Sequence, residues 1–175
     1  MVVVVGGASE SMYAEEGSIN LVLRNRRGFV REAIMAGASL VPVLSFGETN
    51  LYHFWESEDG SVTAKFQRWV KKNFGFGRSI FLRDIGIMPI RTPVVVVVGA
   101  PIAPPTPEQI DGKLYKDFSP KIDRKSDKPL NDDGKVLKDW HTKYVHALEA
   151  LYNEHKNAQW NMPGKKRSKS MRIIR

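Results

Sequence analysis

The sequence predicts an α/β fold built on a mostly parallel sheet with flanking helices. Three observations carry this. An apolar run, a helical stretch and a second apolar run follow one another within residues 19–46. Five consecutive valines, Val94–Val98, stand between Pro93 and Gly99. The chain opens on Val2–Val5, ahead of Gly6-Gly7. Strand, helix and strand in close succession form a βαβ unit, whose strands run parallel through a right-handed crossover. Unbroken β-branched runs suit strands covered on both faces.

The elements follow in order. Val2–Val5 reads as a buried strand stopped by a glycine turn. Ile19–Leu23 is a second strand. Arg27–Ala36 reads as a helix, with Phe29, Val30, Ala33, Ile34 and Ala36 on its apolar side and Gly37 as a left-handed C-cap. Leu40–Phe46 is a third strand, with Pro42 inside it. Val62–Phe74 is a further helix, with Val62, Phe66, Trp69 and Val70 on one face. Pro93–Val98 is the fourth strand, and Pro101, Pro104, Pro105 and Pro107 then force an extended segment. Residues 112–138, rich in Lys, Asp, Pro and Ser, read as an exposed, inserted loop. Asp139–Lys156 is a long amphipathic helix, with Tyr144, Leu148, Leu151, Tyr152 and His155 at helical spacing. Residues 1–157 thus form part of one domain, and residues 158–175 read as a basic, disordered tail.

Charge and composition narrow the partners. The net charge is +8, but Lys165–Arg175 holds six of the 27 basic residues and no acid, leaving 21 against 19 acids elsewhere. A folded nucleic-acid face would carry its charge on the body, so no nucleic-acid partner is expected. The tail suits anionic lipid headgroups, or simply solvent. With no cysteine there is neither a disulfide framework nor a thiolate metal site. No apolar stretch approaches the ~20 residues of a membrane-spanning helix. Met1 leads straight into Val2 with no basic leader, an abrupt start inside an apparent strand.

Three blocks carry a resemblance: VVVVGGASESMYA at residues 2–14, LRNRRGFVREAIMAGASLVPVLSFGETNLY at 23–52, and GRSIFLRDIGIMPIRTPVVVVVGAPIAPP at 77–105. In this order they resemble the Gly-Gly-x-x-Glu, Arg-Gly-Phe with Phe-Gly-Glu, and Val-Gly-x-Pro-Ile blocks of the type-2 diacylglycerol acyltransferase family. That family includes monoacylglycerol and wax-alcohol acyltransferases. The closing helix, WHTKYVHALEALYNEHK, is similar to the family's last helix. The resemblance implies a glycerolipid-acyltransferase-like fold, incomplete at its N-terminus. It implies acyl-CoA as co-substrate with no further cofactor, a neutral glycerolipid acceptor, a membrane surface as partner, and the endoplasmic reticulum membrane as location. The family's His-Pro-His-Gly motif, which precedes the Gly-Gly block, is not in these 175 residues. The chain is therefore expected to be a truncated form, inactive alone.

Acyl transfer to a hydroxyl needs a general base and donors for the developing oxyanion. The resemblance assigns the base to the absent histidine and a supporting role to Glu10, which orients that histidine or the acceptor hydroxyl. A helix-start carboxylate is the other reading of Glu10. Related glycerol-phosphate acyltransferases have an arginine in this block, suited to phosphate; its absence here fits an uncharged acceptor. Gly6 and Gly7 could offer backbone donors, or simply turn the chain. Arg24, Arg26, Arg27 and Arg31 gather at a helix start, a good site for coenzyme A phosphates, or a solvated face. Glu48 follows a strand's carboxyl end, where α/β sheets place ligands, and should share one edge with Glu10. His53 and Glu58 mimic an acyltransferase His-x4-acid spacing but in the wrong order, and His141, His146 and His155 lack i, i+4 pairing, so no metal site is expected. The alternative is a non-catalytic basic lipid- or nucleotide-binding α/β module, for which the G-x-G-x-x-G fingerprint is incomplete.

Overall fold

A computed structural model describes residues 1–7, 10, 13, 18–51, 93–110, 115–123, 126–157 and 170–174. The helix expected at Val62–Phe74, together with His53, Glu58 and most of the basic tail, lies outside them. The chain forms two compact units. One comprises Met1–Val3, Leu23–Leu44 and Val97–His155; the other comprises Val4–Val22, Ser45–Val96 and Lys156–Arg175.

The described elements are β1 (Ser18–Val22), α1 (Gly28–Met35), β2 (Val43–Phe46), β3 (Val95–Val98), α2 (Asp132–His155) and β4 (Ser170–Ile174), with short 3-10 turns at Glu48–Asn50, Pro107–Ile110 and Tyr115–Asp117. The α/β character holds, but the single, mostly parallel sheet does not. β1 pairs in parallel with β4, and β2 pairs with β3 in a second two-stranded sheet. Next to the second sheet Leu40 and Ile102 form an antiparallel bridge, and the Gly99 N–H donates to the Pro42 carbonyl at 2.8 Å. Strand, helix and strand do succeed one another from β1 to β2. Each strand nonetheless takes a partner distant in sequence, so the expected βαβ ladder does not form.

Val2–Val5 is not a strand. Val2 is 94% exposed, and no described residue pairs with the run. β-branched residues favour extended backbone, but a strand exists only where a ladder takes up its N–H and C=O groups. The reading of residues 158–175 as disordered misses β4, whose Ser170–Ile174 aligns with Ser18–Val22 in register. Residues 112–138 are not simply an exposed loop either. Phe118 is buried, Ile122 bridges Pro129, and α2 begins at Asp132, seven residues before the expected start.

The first unit holds a core of Val30, Ile34, Ile110, Phe118, Leu137 and Trp140. α1 contributes Val30 and Ile34 at i, i+4, on one face. The helix stops where expected. Gly37 takes φ +60°, Gly37 N–H donates to Ile34 O at 2.9 Å, and Ala38 N–H donates to Ala33 O at 2.9 Å, the paired bonds of a Schellman cap. α2 buries Leu137, Trp140, His141, Tyr144, Leu148, Leu151 and Tyr152 along one side. The Trp140 indole N–H finds the Ala103 carbonyl at 2.9 Å, so its polar edge is satisfied inside the core. The start of α2 is closely tied. Asn131 Oδ1 accepts from Gly134 N–H at 2.9 Å and from Lys121 N–H at 2.8 Å, while its Nδ2 donates to Ser119 O at 2.8 Å.

In the second unit β1 is covered on both faces, with Ser18, Ile19, Asn20 and Val22 buried. Gly47, at φ +88°, turns the chain after β2 into the 3-10 turn that starts at Glu48. No described helix is long and apolar enough to cross a membrane.

Candidate functional site at the Gly-Gly turn

The second unit assembles the candidate site from Gly6, Gly7, Glu10 and Glu48. Gly7 adopts φ +58°, a left-handed conformation that glycine takes at little cost, and its carbonyl accepts the Glu10 N–H at 3.0 Å. The turn folds the Glu10 side chain back over Gly6. A Cβ at Gly6 would meet the Glu10 Cβ at 2.7 Å and run into its carboxylate. The Gly-Gly-x-x-Glu spacing therefore has a physical meaning. The second glycine makes the turn, and the first leaves room for the carboxylate that the turn returns.

Glu10 is half-buried, and its Oε2 accepts the Val22 N–H at 3.2 Å. The carboxylate thus satisfies a backbone donor of β1. Burial pushes its pKa above the usual carboxylate value of 4.5; the Val22 N–H opposes this, and repulsion from Glu48 adds to it. Among the described residues no cation contributes to this balance. Glu48 is exposed at the start of its 3-10 turn, within electrostatic reach of Glu10. The two sequence-predicted carboxylates are thus brought together, although Glu10 is delivered by a turn docked on β1 and not by a strand ending at Gly6.

The four arginines belong to the first unit. Arg24 and Arg26 are exposed in the turn between β1 and α1, and Arg31 is exposed on α1 with Glu32 at 3.6 Å. Arg27 differs from them. It occupies the N-cap position of α1 with its side chain 14% exposed, and both its terminal nitrogens bind the Asp127 carboxylate, Nη2 to Oδ2 at 2.9 Å. Asp127 sits at φ +57° in the loop before α2, and Lys138 reaches its carbonyl at 3.1 Å. The Arg27 hydrogen bonds hold the Asp127 carboxyl below its usual range. Arg27 is therefore spent on an internal bidentate pair and is not presented to a phosphate.

Sequence reasoning weighed His141 only as a metal ligand and did not single out Asn20. His141 is buried, and its Nε2–H donates to the Leu23 carbonyl at 3.0 Å, joining α2 to the residue after β1. Phe29 packs edge-on against both His141 and Tyr144, with centroids at 6.4 and 5.0 Å. Burial lowers the His141 pKa below 6.5; the Leu23 carbonyl opposes this, Arg27 lowers it further, and Asp127 raises it. The place of His141 was readable, since it falls on the apolar face with Leu137, Tyr144 and Leu148. Among the described residues no cluster of His, Asp and Glu could hold a metal ion.

The site is thus a carboxylate seated in a glycine turn, with no cation among the described residues in its balance. Comparison with known proteins gives the chain a family. The diacylglycerol acyltransferase family model matches residues 1–124, and the chain belongs to that family. It is 34% identical to diacylglycerol O-acyltransferase 2B of Umbelopsis ramanniana, over 99% of this chain and 45% of that protein. It is 37% identical to diacylglycerol O-acyltransferase 2 of Dictyostelium discoideum, over 89% of this chain and 42% of that protein. It is 34% identical to acyl-CoA wax alcohol acyltransferase 2 of Mus musculus, again over 89% and 42%. The chain spans less than half the length of these relatives. No solved structure matches it.

Proposed function

We propose that this chain carries the acceptor side of an acyl-CoA-dependent O-acyltransferase of neutral glycerolipids, converting diacylglycerol to triacylglycerol at the endoplasmic reticulum membrane on a glycerolipid-acyltransferase-like fold. In that reaction the acceptor oxygen forms the new ester bond, the carbon–sulfur bond of the thioester breaks, and the hydroxyl proton ends on the coenzyme A thiol. Glu10 accepts the hydrogen bond of the acceptor hydroxyl, and Glu48 shapes the charge beside it. The base is a histidine in the His-Pro-His-Gly motif of the family. Arg24, Arg26 and Arg31 are the residues proposed for the coenzyme A phosphates, with Arg27 left to its pair with Asp127.

One observation carries the choice of acceptor. The Glu10 carboxylate is held above its ordinary pKa by burial and by Glu48, with no cation among the described residues in its balance. A second negative charge brought there meets repulsion, whereas a hydroxyl meets an acceptor. The site therefore selects a neutral glyceride over a phosphorylated one. The test is binding of dioctanoylglycerol and of a lysophosphatidate of equal chain length to the purified chain in mixed micelles. The neutral glyceride should bind, and Glu10→Gln should weaken it about tenfold, the loss of one hydrogen bond to a charged group. Equal or tighter binding of the lysophosphatidate would sink this reading.

A further inference from the structure

Asn20 is the unexpected residue of β1. It is 8% exposed, in a strand whose other members are Ser18, Ile19, Leu21 and Val22. Its Nδ2 donates to the Tyr13 carbonyl at 2.7 Å, while its Oδ1 is buried with no partner among the described residues. A half-satisfied amide in the interior is a poor choice for stability, because the orphaned acceptor loses its water and gains nothing. Leucine, near-isosteric with asparagine, would serve the strand better.

The bond that Asn20 does make leads to Glu10. Tyr13 N–H donates to Glu10 O at 2.9 Å, so these two residues are the ends of one turn, with Cα atoms within about 7 Å of each other. Asn20 and Val22, two apart on β1, are separated by about 6.7 Å along the strand. The spacings match, and the turn lies along β1 with two attachments. Glu10 holds the Val22 N–H at one end, and Asn20 holds the Tyr13 carbonyl at the other. The first attachment needs only the backbone of β1. The second needs an amide side chain at residue 20.

We propose that Asn20 is a positioning residue, which docks the Glu10 turn on β1 by gripping the Tyr13 carbonyl and so fixes the seat of the Glu10 carboxylate for the acceptor hydroxyl. The docking stands on geometry alone; the hydroxyl rests on the acceptor reading above. The orphaned Oδ1 is the cost of a residue kept for its donor.

Asn20→Leu tests this in the full chain. Three readouts do not depend on turnover: the thermal midpoint, amide exchange at Val22, and the Glu10 carboxyl titration followed by carbon NMR. The midpoint should hold or rise, since the orphaned acceptor is gone. Val22 exchange should quicken about tenfold as its carboxylate partner swings away, with the other β1 amides unchanged. The Glu10 titration should move down toward the ordinary carboxylate range. Asn20→Ser, too short to reach Tyr13, repeats the test should leucine not be accommodated. Unchanged Val22 exchange and an unchanged Glu10 titration in either variant overturn the proposal, whatever happens to stability. If both move while dioctanoylglycerol binding does not, Asn20 still positions Glu10 and it is the acceptor role of Glu10 that fails.

Discussion

An alanine at residue 6 would place its methyl 2.7 Å from the Glu10 Cβ, inside any real carbon–carbon contact. The turn is local and Gly6 is not part of a strand, so the fold should survive Gly6→Ala while Glu10 is displaced. Glyceride binding should then fall as far as in Glu10→Gln, with the far-ultraviolet dichroism unchanged; binding at the native level would show that the seat does not matter. Two buried groups set opposite pH slopes. The Glu10 pKa is raised above 4.5 in the folded state, so its contribution is fully present below pH 4.5 and is lost as pH rises through the raised value. The His141 pKa is lowered from 6.5, so its contribution is present above pH 6.5 and is lost as pH falls through the lowered value. His141→Gln keeps a donor for the Leu23 carbonyl and cannot titrate. It should flatten the acid side of the stability profile below pH 6.5, measured by chemical unfolding at several pH values. A slope equal to that of the parent chain would place the titrating group elsewhere. At this scale the Gly6-Gly7 turn was legible, because paired glycines after an apolar run mark a turn; Glu10 was singled out by the family resemblance. Asn20 was not, because a lone amide inside an apolar strand carries no pattern.

At the scale of elements, α1 was legible almost to the residue, since apolar periodicity and Gly37 point to the same end. α2 was legible only from Asp139 onward. Asn131-Asp132-Asp133 is a helix start by composition, with acids in the first turn. Gly134 and the nearby Pro129 disguised it as loop. Asn131 caps the helix and also ties Ser119 and Lys121, so Asn131→Ala should cost about 1–2 kcal/mol, toward the upper end for a cap. Urea unfolding measures this, and a loss within ~0.5 kcal/mol, the range of an ordinary surface change, would deny the cap its role. β4 was missed because it is a short run, Ser170–Ile174, inside a basic segment. Pairing between segments about 150 residues apart leaves no local trace. Val2–Val5 fails in the opposite sense, as strong strand propensity without a ladder.

For the whole molecule, charge and family point to a surface and a reaction. Arg172 is exposed on β4, within the same basic segment as Lys165, Lys166, Arg167 and Lys169. If this segment meets anionic lipid, binding to vesicles containing phosphatidylserine should weaken as salt is raised from 50 to 500 mM and should fall when these lysines and arginines are neutralised, each at ~1 kcal/mol near the surface. Binding indifferent to both changes would leave the segment a solvated one.

The last prediction follows from what the reaction requires. Removing the proton from an alcohol as it attacks a thioester takes a positioned base, worth ~10²–10⁴ in rate. The chain has four histidines, at residues 53, 141, 146 and 155, and none stands in a His-Pro-His-Gly motif. His141 is buried with its Nε2–H committed to the Leu23 carbonyl. His155 lies in the last turn of α2 with Nδ1 at 2.9 Å from the Leu151 carbonyl. His146 is exposed on α2. The Glu10 Oε2 already accepts the Val22 N–H, and in the proposed reaction Glu10 orients the hydroxyl. The 175-residue chain, given radiolabelled acyl-CoA and diacylglycerol in detergent, should therefore bind glyceride without making triacylglycerol above background. Covalent joining to the part of the Umbelopsis ramanniana diacylglycerol O-acyltransferase 2B that this chain does not match should restore synthesis, and Glu10→Gln should lower it again in the joined protein. Robust turnover by the chain alone that survives His53→Ala would place the base within these residues and overturn its assignment to the motif.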